Sequence, residues 1–166
     1  MKPRPVRIEG DIAYVPLTQG YEAIIDASDV HLVENHNWWA EVKQWGVSAA
    51  RSIREPYKTN IYMHRVIMNA PAGSEVDHKD HNTLNNRRSN LRFCTSTQNS
   101  QNTRLRCDNT SGYKGVSWCK LNNKWKAQIA ANGANRYIGL FDCPKKAHEA
   151  YIKAAKKHFG EFFNSK

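Results

Sequence analysis

Residues 73–102 read GSEVDHKDHNTLNNRRSNLRFCTSTQNSQN, and the rest of the chain is organised around them. A short β-prone run ends in the adjacent carboxylate and imidazole of Asp77 and His78. An Asn/Arg-rich loop follows, then a second apolar run over residues 91–95, then a polar segment able to start a helix. The pattern predicts a strand, loop, strand, helix unit of about thirty residues.

The chemistry on offer is limited but coherent. Asp77 provides a hard oxygen, and Asn99, in the helical segment, provides a carbonyl oxygen. Together they suit Mg²⁺ or another oxygen-preferring divalent ion that keeps several waters. His78 points to the other side of the strand end, and an imidazole with a solution pKa of about 6.5 accepts a proton at neutral pH. A metal to stabilise charge on a phosphate, with a histidine to activate water, is the minimum for cutting a phosphodiester. Asn90 is placed to brace the loop through side-chain to backbone hydrogen bonds. The bland alternative stands beside this: an isolated Asp-His pair is most often a surface turn or a satisfied hydrogen bond. His64 and Arg65 also carry two readings. Their position just before the site suits phosphate contact, while the apolar neighbours Ile61, Met63, Val66, Ile67 and Met68 suit packing.

The runs HRVIM, VDHKDHNTLNNRRSNLR and TQNSQN resemble the HNH homing endonucleases of the ββα-metal class found in phages and mobile introns, over roughly residues 62–103. The resemblance implies Asp77 and Asn99 as ligands of a divalent ion, Mg²⁺ first and Mn²⁺ as the alternative. It also implies His78 as general base and Asn90 as the residue that fixes the loop. One departure is His81, which stands where relatives often have Gly in a D-G-N turn.

The whole chain has 166 residues, a formal charge of +10 and a pI near 9.6, which points to a polyanion and, with many Asn, Lys and Arg, to nucleic acid before membrane. The charge is uneven: net −1 over residues 1–60, +3 over 61–104 and +8 over 105–166. Cys94, Cys107, Cys119 and Cys143 form no C-x-x-C pair, so no structural zinc is expected and the thiols read as reduced packing residues. No apolar run is long enough to span a bilayer, and the Met-Lys-Pro-Arg start lacks the apolar core of a signal peptide. The expected place is the cytoplasm of a bacterium or of an infected host cell.

Residues 1–60 read as a small β-rich extension. Strands are expected over 12–17 and 22–25, a short helix capped from 26–29, and a hairpin of 38–42 with 47–53 turning at Trp45-Gly46. Trp38, Trp39 and Trp45 are expected to pack, since a near-neutral segment binds phosphate poorly. A thirty-residue ββα unit buries too little apolar surface alone, so this segment widens its core.

After a link over 105–110, residues 111–166 read as three strands and a helix. The strands are 114–120, 124–130 and 136–141, with turns at Asn122-Asn123 and Asn132-Gly133. In the second strand Trp125, Ala127 and Ile129 alternate with Lys124, Lys126, Gln128 and Ala130. The helix starts at Pro144 and ends before Gly160, with an expected packing stripe of Ala147, Ala150, Tyr151, Ala154 and His158. YKGV, KWKAQI, YIGLF and the Ala-rich helix resemble the DNA-binding domain of the plant APETALA and ethylene-response factors. That family reads duplex DNA with the exposed sheet face, which implies Ser117, Lys120, Lys124, Lys126, Gln128, Arg136 and Tyr137 near the groove. Ser117, Ala130 and Tyr137 stand where plant members carry Arg or Trp, so the plant target sequence does not carry over.

The expected fold is therefore α+β, with four parts. They are a β-rich extension (1–60), an HNH ββα-metal core (61–104), a linker (105–110) and a three-stranded antiparallel sheet packed on one helix (111–166). The expected function is a metal-dependent endonuclease on duplex DNA, of homing type, with Arg65, Arg87, Arg88 and Arg92 holding phosphates. One site per chain predicts a nick; a double-strand break requires a dimer or two nicks, and monomer and dimer both stay open. The rivals are a non-catalytic DNA-binding transcription regulator built on a spent nuclease fold, and an RNA-directed protein stacking bases on Trp and Tyr.

Overall fold

The computed structural model describes residues 2–44, 46–53, 59–101, 105, 108–131 and 134–163. Trp45, Cys107, Asn132 and Gly133, to which roles are assigned above, lie outside the described residues. The chain divides into two compact units, Met1–Thr95 and Ser96–Lys166. It is a mixed α/β protein of small antiparallel sheets and few helices. Among the described residues no helix is long and apolar enough to cross a membrane.

The first unit opens with a meander of β1 (Arg7–Glu9), β2 (Ile12–Pro16) and β3 (Glu22–Asp26), in the order β1-β2-β3. Period-2 alternation decides its faces: Ala13 and Val15 pair across the sheet with Ile25 and Ala23, and all four are buried. Ala27–Leu32 then forms the expected short helix as a 3₁₀ helix, without the expected side-chain cap. Asp26 makes no side-chain cap because its carboxylate is engaged by Arg87 and by the Arg88 N–H.

A second meander, β4 (Trp39–Lys43), β5 (Gly46–Ile53) and β6 (Thr59–Tyr62), leads straight into helix α1 (Met63–Ile67). Trp38 is buried and donates its indole N–H to the Val33 carbonyl at 3.0 Å, so it is a packing residue with its one polar atom satisfied. Met63 and Ile67, one helical turn apart, bury the same side of α1.

The antiparallel hairpin of β7 (Glu75–His78) and β8 (Leu91–Cys94) completes this unit. Its inward residues Val76 and Leu91 join one core with Ala13, Val15, Leu17, Ile25, Val33, Trp38, Met63 and Ile67. Each fully buried Ile, Leu, Val or Met contributes roughly 1.5–3 kcal/mol. The N-terminal strands and the β7–β8 hairpin therefore share one continuous core.

The second unit begins with helix α2 (Ser96–Gln101). Strands β9 (Val116–Cys119), β10 (Lys124–Ala131) and β11 (Ala134–Phe141) form an antiparallel sheet in the order β11-β10-β9, and helix α3 (Pro144–Phe159) packs on it. Pro144 occupies the first helical turn, and Gly160 ends the helix at φ 53°. The buried stripe of α3 is Ala147, Tyr151, Ala155 and Phe159, whereas His158 is exposed. An i+4 ladder that ends on Phe159 buries more apolar surface than one ending on His158, and this rotates the helix from the expected stripe. Gly115, at φ +73°, lies so close to the Tyr151 ring that a Cβ would fall well inside its van der Waals surface.

Candidate active site

The β7–β8 hairpin sets the two central side chains. Asp77 stands opposite Arg92 and His78 opposite Leu91, so alternation sends the carboxylate and the imidazole to opposite faces. Both are buried, at 7% and 6% exposure. His78 shares its face with Val76 and Leu91, which explains how a polar ring comes to sit against the core.

That ring has a specific partner. Asn86, 1% exposed, lies with Oδ1 3.1 Å from His78 Nε2. The Asn86 amide nitrogen donates to the Leu84 carbonyl at 3.1 Å, which assigns the oxygen to the imidazole. Nε2 therefore carries the proton, and the basic lone pair is on Nδ1. Burial pushes the His78 pKa down, against the opposing pull of the Asn86 bond and of Asp80 and Asp77, so the ring is neutral at neutral pH.

Asn86 is itself held by the rest of the unit. Its N–H donates to the Ile24 carbonyl at 2.7 Å and the Ile24 N–H donates to the Leu84 carbonyl at 2.8 Å, a short parallel bridge between β3 and the loop. On the other side, the Thr83 hydroxyl donates to the Val47 carbonyl of β5 at 2.6 Å. The loop between β7 and β8 is thus clamped by both N-terminal meanders.

Within the loop, Asn90 accepts from the Asp80 N–H at 3.1 Å and donates to Asp80 Oδ1 at 2.9 Å and to the Asn85 carbonyl at 2.7 Å. Asp80 also accepts from the Asn82 N–H and the Asn85 side chain, each at 2.8 Å. Burial would raise the Asp80 pKa, but these donors, with the nearby His78, outweigh it and hold the carboxyl below its ordinary value. His81 has φ +62°, the left-handed conformation that glycine adopts at no steric cost.

His64 packs edge-on to His78, with ring centroids 5.1 Å apart, and stacks on Tyr62 at 5.6 Å. Burial, with smaller contributions from His78 and Arg65, pushes its pKa down to about 3. It is a neutral wall of the site. The Tyr62 hydroxyl donates to Glu41 at 2.9 Å and accepts from Lys43 at 3.2 Å, which anchors that wall to β4.

The arginines expected to hold phosphates are engaged inside the first unit. Arg65 donates to the carbonyls of Ser74, Ala70 and Pro71 and closes the connection into β7. Arg87 bridges Asp26 and Asp11, each at 2.7 Å, and Arg88 chelates Asp29 at 2.8–3.1 Å. Arg92 donates from Nε at 2.9 Å and from Nη2 at 2.7 Å, both to Asp77 Oδ2. The physical reason is common to all four: a guanidinium carries several fixed donors, and the fold brings a carboxylate or a group of carbonyls within their reach.

Asn99 lies in α2 of the second unit. In that unit Ser117 faces Lys126 and Gln128 faces Tyr137 across the ladders, one row on the face away from α3, with Tyr137 64% exposed. Lys120 is in the β9–β10 turn, and Lys124 pairs with Asp142 at 3.1 Å. Arg136 stands opposite Ile129 in the ladder and is exposed. A register shift at Ala127/Gln128 lies alongside.

Sequence reasoning missed Asn86 and Asp80, and read Asp26 and Asp29 only as helix-capping residues. The density of Asn in LNNRRSN marks a hydrogen-bonded loop, but the partners Ile24, Asp26 and Asp29 lie far upstream in the chain.

The buried carboxylate of Asp77 is a hard oxygen donor of the kind a divalent ion takes. Among the described residues no three His, Cys, Asp or Glu side chains converge.

A family model described as HNH endonuclease matches residues 62–101. An HNH endonuclease of Acanthamoeba polyphaga mimivirus, itself named as uncharacterized, is 31% identical over 144 residues, covering 87% of this chain and 74% of its own length. Protein 3.8 of Escherichia phage T7 is 41% identical over 63 residues, 38% of this chain and about half (52%) of that protein. No solved structure matches the chain.

Proposed function

Because the chain belongs to the HNH endonuclease family, we propose that it is a metal-dependent endonuclease hydrolysing one phosphodiester bond of duplex DNA, with His78 as general base. Family membership makes it a nuclease with DNA as substrate class, and HNH nucleases generally use a divalent metal ion. The observation that carries the reading is the buried Asn86–His78 bond, which holds a neutral imidazole with its lone pair on Nδ1.

In this reading Asp77 and Asn99 hold the ion, Mg²⁺ in the first place, and Asn90 keeps the loop in shape. Bound there, a divalent ion would supply charge stabilisation for phosphodiester cleavage. His78 takes the proton of the attacking water at Nδ1, while Asn86 retains the Nε2 proton. His64 packs edge-on against the ring and holds its orientation.

The second unit, with its APETALA/ethylene-response-factor-like strands and helix, holds the duplex. Ser117, Lys126, Gln128 and Tyr137 form the row that faces the groove, and Lys120 and Lys124 flank it at the hairpin end. The net +8 of residues 105–166 supports this assignment, since phosphate neutralisation dominates non-specific affinity. A single site per chain makes a nick the elementary event. Homing, with action in the cytoplasm of a bacterial or infected host cell, is the biological setting this reading favours.

Relaxation of supercoiled plasmid with Mg²⁺, with and without chelator, tests the proposal. The wild-type chain nicks only with the metal, and His78→Ala binds DNA but cuts at least about a hundredfold more slowly. Metal-independent cutting, or His78→Ala at the wild-type rate, excludes the mechanism.

A further inference from the structure

We propose that Arg92 is a built-in competitor of the divalent ion at Asp77, lowering the metal affinity of the DNA-free protein. The inference rests on the reading of Asp77 as a metal ligand.

The geometry is specific. Arg92 places both Nε and Nη2 on the same carboxylate oxygen, Oδ2, at 2.9 and 2.7 Å. The two side chains are 11% and 8% exposed, so the pair is shielded from solvent and poorly screened. Its alignment is written into the backbone, because Asp77 and Arg92 are directly opposite in the β7–β8 register. A divalent cation approaching Asp77 meets a carboxylate whose charge is already balanced by a guanidinium within hydrogen-bond distance. It must share the carboxylate with that cation or displace it, and either costs binding free energy.

The same pair has a benefit for the empty protein. A buried carboxylate without a counter-charge is strongly destabilising. Arg92 keeps Asp77 folded in place until the metal arrives. The two cations thus alternate in one electrostatic role, and the site stays formed at the expense of metal affinity.

The test uses Mn²⁺ as the probe and the full chain, with free Mn²⁺ read by electron paramagnetic resonance. Arg92→Gln removes the charge and is expected to bind Mn²⁺ at least tenfold more tightly. Its melting temperature falls without Mn²⁺ and recovers more than the wild type's when Mn²⁺ is added. Arg92→Lys keeps a cation and stays within about threefold of wild type. An unchanged or weaker affinity in Arg92→Gln overturns the proposal, as does tightening of the same size in Arg92→Lys.

Asp77→Asn is the separate control. It is expected to lose Mn²⁺ binding, and wild-type binding there removes the metal-ligand reading itself, whatever Arg92 does. If Arg92→Gln fails to fold, the wild-type chain still decides. The Arg92 Nε–H resonance, identified by its loss in Arg92→Lys, moves on adding Mg²⁺ and stays put in Asp77→Asn; no movement in the wild type overturns the proposal.

Discussion

Asn86→Leu isolates the contact on which the proposed base depends. Leucine approximates the shape of asparagine but offers His78 no acceptor. The stability cost follows from what is left unpaired. The Leu84 carbonyl keeps the Ile24 N–H at 2.8 Å, and the Asn86 N–H still reaches the Ile24 carbonyl at 2.7 Å. Only the His78 Nε2 proton loses its partner, at a cost of about 1–3 kcal/mol for a buried donor. A domain with a stability of roughly 5–15 kcal/mol survives that. The catalytic cost is larger in proportion, because the acceptor that favours the proton on Nε2 is gone and the ring can carry it on Nδ1, the atom required to be basic. General-base catalysis contributes about 10²–10⁴-fold, so single-turnover plasmid nicking is expected to slow by about 10²-fold while DNA affinity, by fluorescence anisotropy at fixed salt, is unchanged. Asn86 acts through His78, so the double variant with His78→Ala should cut no more slowly than His78→Ala alone. A rate loss under threefold, or losses that multiply in the double variant, refutes the reasoning.

Two further predictions come from the packing of each unit. Gly115→Ala forces a Cβ into the Tyr151 ring at a φ of +73°, and is expected to destabilise the second unit by about 1–3 kcal/mol, seen as an earlier melting transition and weaker DNA binding. Stability should also fall with acid through His64. Its folded pKa of about 3 lies below the ordinary 6.5, so the unfolded chain binds a proton that the native state does not between those values. The contribution is complete above pH 6.5 and declines as the pH drops, by roughly 2 kcal/mol at pH 5. Urea unfolding at pH 7 and pH 5 measures it; His64→Phe should flatten the slope, and an unchanged slope removes His64 as the cause.

The elements around the site were legible because their signals are local. The β7–β8 hairpin, the three C-terminal strands and the Pro144-to-Gly160 helix are written in alternation, turn residues and caps that lie close together along the chain. The missing side-chain cap of the short helix at Ala27–Leu32 was not, because Asp26 looks like a helix cap until Arg87 and Arg88 take its carboxylate. The packing stripe of α3 was off by one position at its end, since Phe159 and His158 both fit a helical period and only burial ranks them.

By itself the sequence determined where the chain turns, which strands alternate, and that a carboxylate and an imidazole stand side by side at a strand end, since each depends on backbone periodicity and neighbouring residues. The tertiary structure alone decided the partners: Asn86 for His78, Asp77 for Arg92, and Asp11, Asp26 and Asp29 for Arg87 and Arg88. A hydrogen bond or ion pair forms between groups brought within about 3 Å of each other, and distance along the chain carries no record of which groups those are.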